Sequence, residues 1–271
     1  MYLNEVGGVG CEFAILIAMQ WARKQTGFTI VELLIVVVVI AILAAITIVS
    51  YNGITERSRM SVAQSFAGQI QRGPEAIDTN ALYKFDACSG SSIVDSSGKN
   101  ANGTVAAGTA NWSTDTPSGT GCSFQFNGST YISVPVILQA DYYMKAAWVK
   151  MTSCAGGNNI VSSPTGAANS HAWYAPSGGQ CRMSAGNNGS WSTIGDSTTI
   201  ADGKWHHVAL EFKSTSSTVG NLTLFRDGTQ VSQVTNVAKI ATLDPVGSLI
   251  GSYTGGNLFT GLMDDVLIIS R

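Results

Sequence analysis

The chain has 271 residues, enough for one or two domains, and only 12% of them are charged, about half of the ~25% typical of soluble domains. With 15 basic against 17 acidic residues the net charge is -2, which argues against the basic patch of a nucleic-acid-binding protein. Low charge together with 45% hydrophobic residues also excludes a solvated, disordered chain. The hydrophobic residues are unevenly distributed, so we take them in chain order.

The first strong feature is an uncharged run of 23 residues from Leu33 through Thr55. As an α-helix this run would be about 35 Å long, enough to cross the ~30 Å hydrocarbon layer of a membrane. Many of its residues are β-branched, but a lone segment in lipid must satisfy its own backbone hydrogen bonds, which favours a helix. The apolar region of a secretory signal is shorter, about 7–15 residues. We therefore predict a membrane helix.

A basic leader, a Gly-Phe pair and an acidic residue surround the start of this run. The stretch KQTGFTIVELLIVVVVIAILAAI resembles the class III signal of type IV pilins and pseudopilins. The resemblance implies that prepilin peptidase recognises the leader around Lys24, cuts after Gly27 and methylates the new terminal residue, Phe28. It makes Glu32 the acidic fifth residue of the mature chain.

Physical chemistry explains why Glu32 needs a partner. A carboxylate at the centre of a membrane helix costs about 2.5–3.5 kcal/mol. Cleavage would create a positive amine on Phe28, four residues earlier and on the same helix face. In a fibre this carboxylate could meet the amine of a neighbouring subunit and set the axial register. The expected partners are other pilin subunits, prepilin peptidase and inner-membrane lipid, and the expected location is a single-pass membrane protein that becomes part of an extracellular pilus or the cell surface.

The chain order predicts four segments. Past the membrane run, Ile54, Val62, Phe66 and Ile70 recur at multiples of four and predict an amphipathic stripe that packs on the following domain. Translation from Met19 would give a leader of the usual length, so we expect residues 1–18 to lie outside the translated protein. The predicted segments are a leader (1–27), a transmembrane and assembly helix (28–73), a linker (74–80) and an outer domain (81–271).

The outer domain is rich in Ser, Thr, Gly and Asn, and short β-prone runs alternate with turn signals. About 190 residues of this kind predict an antiparallel sandwich or jelly roll. In chain order ALYKFD, SFQFNGSTYISVP, DGKWHHVAL, LFRDG and FTGLMDDVLI resemble laminin-G-like members of the concanavalin A-like lectin/glucanase superfamily. The resemblance implies a mostly β fold, in which a long N-terminal helix precedes a two-sheet jelly roll that binds glycans, proteins or surfaces.

Four cysteines lie in this domain, and an even number in an exported segment predicts disulfides with three possible connectivities. The order along the chain favours Cys88–Cys122 and Cys154–Cys181. Free buried thiols are the alternative. Neither a Cys-x-x-Cys pair nor a His/Cys spacing indicates zinc.

Several further positions have structural interpretations. Strand alternation puts Trp205 and His207 on one face, where a core Trp is expected. Residues 226–229 read Arg-Asp-Gly-Thr and predict a hairpin turn. Asp264 and Asp265 are adjacent and would face opposite ways on a strand. Either could supply an oxygen ligand to calcium, so the metal remains open, and no other cofactor is expected.

Catalysis is not expected. A glycosidase needs two carboxylates, and Glu211 is the only Glu after Glu75, so the glutamates of the outer domain cannot supply a pair. No nucleophile motif accompanies the three His residues. Four aromatic residues in or near Gly/Ser/Asn-rich segments are candidates for stacking on a sugar, or equally for filling the sandwich: Trp112, Trp173, Tyr174 and Trp191.

The resulting hypothesis is a type IV pilin-like subunit, minor or major, that displays the domain for adhesion through a glycan or a host or surface protein. The first alternative is a secretion-system pseudopilin or structural pilin without a ligand. The second is a membrane-anchored lectin that never polymerises.

Overall fold

A computed structural model describes residues 27–73, 79–136, 138, 141–166, 169–240 and 247–271. Residues 1–26 of the predicted leader, including Lys24, and most of the predicted linker lie outside these residues. The chain divides into two compact units, the first ending at Thr55 and the second beginning at Glu56. The second unit therefore contains the last part of the long helix as well as the β domain.

The described residues form one long helix followed by β-strands. The helix, α1 (Ile30–Arg72), has 43 residues. In chain order the strands are β1 (Thr79–Tyr83), β2 (Ser92–Ile93), β3 (Gly103–Ala107), β4 (Trp112–Ser113), β5 (Ser123–Asn127), β6 (Tyr131–Val134), β7 (Tyr142–Lys150), β8 (Val161–Ser162), β9 (Ala172–Tyr174), β10 (Arg182–Gly186), β11 (Ile194–Thr199), β12 (Trp205–Ser214), β13 (Val219–Arg226), β14 (Thr229–Ala238), β15 (Ser248–Ile250) and β16 (Thr260–Ser270).

The first unit is dominated by the apolar part of α1. Ile30–Ile48 has 19 residues with a mean hydropathy of 3.1, and none of that stretch is buried. By length and composition it can cross a membrane. Its exposed Leu, Ile and Val side chains would be unfavourable in water, so the segment requires lipid or other helices around it.

The β domain has two layers of antiparallel strands. One layer is an eight-stranded sheet in the order β14-β13-β12-β7-β16-β5-β4, with β1 paired to β16. The other layer consists of a five-stranded sheet, β2-β3-β6-β15-β8, and a three-stranded sheet, β11-β10-β9. Backbone hydrogen bonds join these two pieces, from Ile160 N to Trp173 O at 2.7 Å and from Ser163 N to His171 O at 2.9 Å. The predicted mostly β sandwich is confirmed, with the second layer in two pieces.

The main core lies between the two layers. It is built from inward-facing side chains of all three sheets, and its largest fully buried members include Phe124, Phe126, Phe212 and Trp173. Full burial of such a side chain contributes about 1.5–3 kcal/mol. The core follows from the period-two alternation along the strands.

The C-terminal part of α1 covers the outer face of the eight-stranded sheet. Ala63 and Ala67 are buried, and Phe66 and Ile70 pack beside them. They contact a surface of the sheet formed by Tyr142, Met144, Ala146, Trp148, Trp205, Ala209, Leu267 and Ile269. This second cover explains why β7 is buried on both faces.

The predicted packing stripe on α1 is wrong in part. Phe66 and Ile70 are packed, but Ile54 is 67% exposed and Val62 50% exposed. Four residues advance about 400° around a helix of 3.6 residues per turn, so each step drifts by ~40°. Over sixteen residues the drift places Ile54 almost opposite Ile70, whereas Ala63 and Ala67 lie on the packed face.

The turn between β13 and β14 also contacts the helix. Asp227 and Gly228 both have positive φ, 50° and 79°, as the predicted hairpin requires. A Cβ added to Gly228 would lie 3.0 Å from Val62 Cγ1 and 3.2 Å from Val62 O. Glycine is therefore needed for the backbone conformation and for the close approach to α1.

Two disulfides close loops of the β domain. Cys88 is joined to Cys122, with Cα atoms 5.4 Å apart, and Cys154 to Cys181, with Cα atoms 5.6 Å apart. This is the pairing that the chain order favours over the other two connectivities. In the chain-entropy model, loops of 34 and 27 residues each stabilise the fold by about 3.5–4 kcal/mol.

Candidate functional site

The predicted processing site lies just before the first turn of α1. Phe28 is 84% exposed, and no described atom lies within 4 Å of the position of a Cβ on Gly27. Glu32 Oε2 accepts hydrogen bonds from the backbone N–H and the hydroxyl of Thr29, both at 2.8 Å. The Glu32 N–H in turn donates to Thr29 Oγ1 at 3.2 Å.

This reciprocal pattern is a capping box, with Thr29 as the N-cap and Glu32 at the third helical position. The carboxylate also lies at the positive end of the helix dipole. Only the pairing of Glu32 with an amine was predicted, and its capping role was not, although the Thr-x-x-Glu spacing that indicates a capping box is present in FTIVE. The pilin-type acidic residue thus also caps the start of α1.

A network of charges anchors α1 to the β domain. The Arg59 guanidinium lies 2.5 Å from Glu56 Oε1 and 2.8 Å from Asp227 Oδ2, and it donates to the Trp205 carbonyl at 2.8 Å. His206 Nδ1 lies 2.8 Å from the same Asp227 oxygen. Burial alone would raise the pKa of Asp227, but the His206 hydrogen bond and charge and the Arg59 charge hold it below its ordinary value.

Strand alternation predicts that Asp264 and Asp265 face opposite ways, but the strand is not regular at this point. The strand is irregular between Asp264 and Leu267, and Asp265 has φ 46°, so the Asp265 N–H donates to Asp264 Oδ1 at 2.9 Å. Burial, with repulsion from the Asp265 charge, raises the pKa of Asp264 to about 8. The described residues contain no group of three or more His, Cys, Asp or Glu side chains that could hold a metal ion.

A buried basic pair, missed by the sequence reasoning, lies inside the sandwich. Lys145 is 0% exposed, and its Nζ donates to the Val161 carbonyl at 3.0 Å and lies 2.8 Å from His171 Nδ1. Burial lowers the pKa of Lys145 well below its ordinary value. Burial and the nearby Lys145 lower the pKa of His171 as well. The signal was available, because Lys145 occupies an inward position of β7 between Tyr143 and Ala147.

The four aromatic candidates are in different environments. Trp173 is fully buried in the main core, so its assignment as a ligand contact is wrong. Trp112 on β4 is half-buried, and its ring meets the edges of Phe85 and Phe124. It also lines a shallow cleft of about 230 Å³. Its contacts are those of a side chain that closes one end of the core.

Trp191 is the candidate that presents its ring to solvent, with 46% of its surface exposed. Its ring centroid lies 4.3 Å from that of Tyr253 and 5.9 Å from that of Tyr174, both in edge-on contacts. The Tyr174 hydroxyl donates to the Trp191 carbonyl at 2.8 Å. Tyr174, the fourth candidate, is 8% exposed and supports Trp191 from below.

Comparison with protein families finds two matches along the chain. Residues 126–271 match the model described as concanavalin A-like lectin/glucanases superfamily. Residues 22–48 match the prokaryotic N-terminal methylation motif, which includes Gly27, Phe28 and Glu32. The first match covers more than half of the chain.

Similar proteins of known role are fimbrial. Fimbrial protein EcpC of Eikenella corrodens is 36% identical over 112 residues, which cover 40% of this chain and 72% of that protein. Type IV major fimbrial protein FimA of Dichelobacter nodosus is 46% identical over 66 residues, 24% of this chain and 39% of that protein. The chain thus covers less than half of FimA.

Similar solved structures agree on the fold of the β domain. Domain 4 of the extracellular arabinanase AbnA from Geobacillus stearothermophilus, in complex with arabinotriose, has a TM-score of 0.50 at 20% identity over 71% of this chain and 92% of that one. The binding domain of Paraclostridial Mosquitocidal Protein 1 has a TM-score of 0.54 at 12% identity over 73% of this chain and 50% of that one. With a pilin methylation motif at its N-terminus and this jelly roll after it, the chain belongs to the concanavalin A-like lectin/glucanase superfamily and is a type IV pilin-like fimbrial protein.

Proposed function

We propose that this protein is a filament subunit that prepilin peptidase cuts between Gly27 and Phe28 and that carries its jelly roll on the filament surface for adhesion. The leader would be 1–27, the assembly helix 28–73 and the displayed domain 81–271. The protein would be a single-pass membrane protein until it enters the filament.

The observation that carries the proposal is the exposed apolar helix behind an accessible cleavage site. None of Ile30–Ile48 is buried among the residues that the structure describes, so it needs lipid before assembly and neighbouring helices after it. Cleavage would leave a methylated amine on Phe28, beside the Glu32 carboxylate. Only one oxygen of that carboxylate, Oε2, takes the two bonds from Thr29, so Oε1 can meet the amine of the next subunit.

Adhesion is the function best supported for the displayed domain. Its relatives by fold include an arabinanase domain in complex with arabinotriose and the binding domain of a mosquitocidal protein. These likenesses lie below 25% identity, so they support the shared fold, and the binding role is part of the proposal.

The test of assembly compares Glu32→Val with Thr29→Ala. Glu32→Val should stay in the membrane and be absent from sheared filaments, because it removes the charge that pairs with the neighbouring amine. Thr29→Ala disrupts the capping box but keeps the carboxylate, so it should enter filaments. Normal incorporation of Glu32→Val would contradict the proposal.

Mass spectrometry of the mature terminus separates the remaining alternatives. A methylated Phe28 terminus is expected, whereas an intact leader would favour a membrane-anchored lectin that does not polymerise. A processed subunit that is absent from surface filaments would favour a pseudopilin. Processed filaments whose attachment to surfaces is unchanged by deletion of this subunit would favour a structural pilin without a ligand.

A further inference from the structure

We infer that Trp191, at the tip of the β10–β11 hairpin, is the contact residue of a binding site for an uncharged glycan. The inference rests on the proposed function, because a domain displayed for adhesion needs a surface that touches its target. It names that surface and the chemical class of the target.

The indole of Trp191 is held in place without a ligand. The rings of Tyr174 and Tyr253 meet it at 88° and 66°, and the Tyr174 hydroxyl fixes the Trp191 carbonyl. Almost half of the side chain nevertheless remains exposed. A ring that is already ordered loses little conformational entropy when a ligand stacks on it.

The backbone of the hairpin tip is equally constrained. Asn188 and Gly189 both have positive φ, 51° and 78°, and the Gly189 N–H donates to the Ser170 carbonyl at 3.1 Å. A Cβ on Gly186 would lie 1.6 Å from the Ser190 carbonyl oxygen, so the loop folds tightly over the end of β10. The position of Trp191 is thus set by both main chain and side chains.

Hydroxyl groups lie next to Tyr253, which holds the ring, and next to Trp191 in the chain. Ser170 Oγ lies 3.4 Å from the Tyr253 hydroxyl, and Ser184 Oγ lies 3.4 Å from Ser192 Oγ. Four residues in the described part of the chain have side chains that stack on or hydrogen-bond with residues 187–193: Tyr143, Tyr174, Ser184 and Tyr253. None of these four side chains is charged at neutral pH.

This chemistry matches a neutral sugar. The C–H bonds on the apolar face of a sugar ring carry partial positive charge and pack on the electron-rich face of an indole, while the sugar hydroxyls exchange hydrogen bonds with neighbouring hydroxyls. A sialylated or uronic-acid ligand would bring a carboxylate to this loop, and the four side chains that contact the loop in the described residues include no cation to pair with it.

The exposed apolar area is too small for a stable protein interface. Among the described residues from Thr79 onward, Trp191 and Val94 are the large hydrophobic side chains classed as exposed. A stable protein–protein interface buries about 1,600 Å² around several apolar or aromatic anchors. One rigid indole among hydroxyls suits one or two sugar rings.

The test uses the full chain in detergent micelles on an array of neutral hexose and pentose oligosaccharides beside sialylated and uronic-acid oligosaccharides. We expect binding to neutral oligosaccharides only. Titration of the best of these should show a loss of affinity of about tenfold for Trp191→Ala, because the substitution removes both the stacking contact and the area that the ring buries. Trp191→Phe, which keeps a ring, should lose less.

Val94→Ala is the matched control, since it truncates the other exposed large hydrophobic side chain of the domain and should bind as the wild type does. Unchanged affinity of Trp191→Ala with near-UV circular dichroism preserved would overturn the inference. So would exclusive binding to acidic glycans, absence of glycan binding, or a Trp191-dependent contact that proves to be with a protein. Filament incorporation, scored separately, tests the proposed function, so the two can fail independently.

Discussion

The buried lysine in the sandwich makes a prediction about alkaline stability. Lys145 is fully buried, and the groups that face it are the His171 imidazole, the Val161 carbonyl and the Tyr143 ring, 5.4 Å away. None of these supplies a negative charge, so burial favours the neutral amine when the domain is folded. In the unfolded chain its pKa returns to about 10.4.

Unfolding at a pH between the depressed folded pKa and the unfolded pKa therefore takes up a proton at Lys145. The folded pKa is depressed, so the free energy of unfolding rises with pH by about 1.4 kcal/mol per unit until the unfolded lysine loses its own proton. Asp264 acts in the opposite direction, since its pKa of about 8 is raised on folding, but its contribution ends above pH 8. From pH 8.5 to 10 the Lys145 contribution is about 2 kcal/mol.

The perturbation is Lys145→Gln, which keeps a donor for the Val161 carbonyl and cannot titrate. Thermal unfolding of the detergent-solubilised chain, followed by tryptophan fluorescence, should show a melting temperature that rises by roughly 4–8 °C over this pH range more in the wild type than in the variant. The control is Lys150→Gln, on the same strand, whose partly exposed amine pairs with Asp115. It should keep the wild-type slope.

Comparing the pH dependence of the melting temperature between the wild type and each variant removes the contribution of every group that titrates equally in both. Equal slopes for the wild type and Lys145→Gln would refute the reasoning, because they would mean that folded Lys145 keeps its charge. A lost slope in Lys150→Gln would refute it as well, because the effect would then not depend on burial.

Three further substitutions probe how the helix and the loops are held, each measured by thermal unfolding against the wild type. Arg59→Ala leaves the Asp227 carboxylate with one fewer partner and should cost about 1–2 kcal/mol, less if solvent screens the site; an unchanged melting temperature would show that the ion pair contributes nothing. Gly228→Ala should cost about 1–2 kcal/mol for its left-handed backbone, and more because its Cβ meets the helix; a neutral effect would mean that the hairpin tip can move away. The double change Cys154→Ser and Cys181→Ser should lower the free energy of unfolding by about 3.5 kcal/mol. Reductant added to that variant should cause no further loss from this loop, because its disulfide is already absent.

The division of the chain also affects how the domain should be isolated. A fragment that starts near residue 76, at the predicted linker, would remove Phe66 and Ile70 and expose the apolar face beneath them. A fragment that starts at Glu56 keeps this face covered. We expect the longer fragment to be monomeric and the shorter one to aggregate, which size-exclusion chromatography can show.

Local sequence was sufficient where the chemistry is local. The long apolar helix follows from 23 uncharged residues, and the turn at Asp227-Gly228 from its dipeptide. The cysteine order favours the pairing seen in the structure, because each bridge joins two cysteines that are neighbours in chain order, 34 and 27 residues apart. These features depend on neighbours within a few residues or on simple loop closure.

Burial of individual aromatics was not predictable in the same way. Trp173 and Trp191 lie in similar Gly/Ser/Asn-rich surroundings, yet one fills the core and the other is exposed at a hairpin tip. Trp173 lies on β9 and packs in the core, whereas Trp191 lies in the loop between β10 and β11 of the same three-stranded sheet. Which residues enter a strand and face the core depends on pairing between distant segments, and composition does not show it.

The sequence by itself therefore determined the class of the protein: an apolar helix behind a processing motif, followed by a weakly charged β-rich domain. Only the tertiary structure decided that the end of the helix belongs to the β domain, that Lys145 is sealed between the layers and that Trp191 faces solvent. The reason is that helix formation and turns are governed by residues close in the chain, whereas burial is governed by the packing of segments that lie far apart in it.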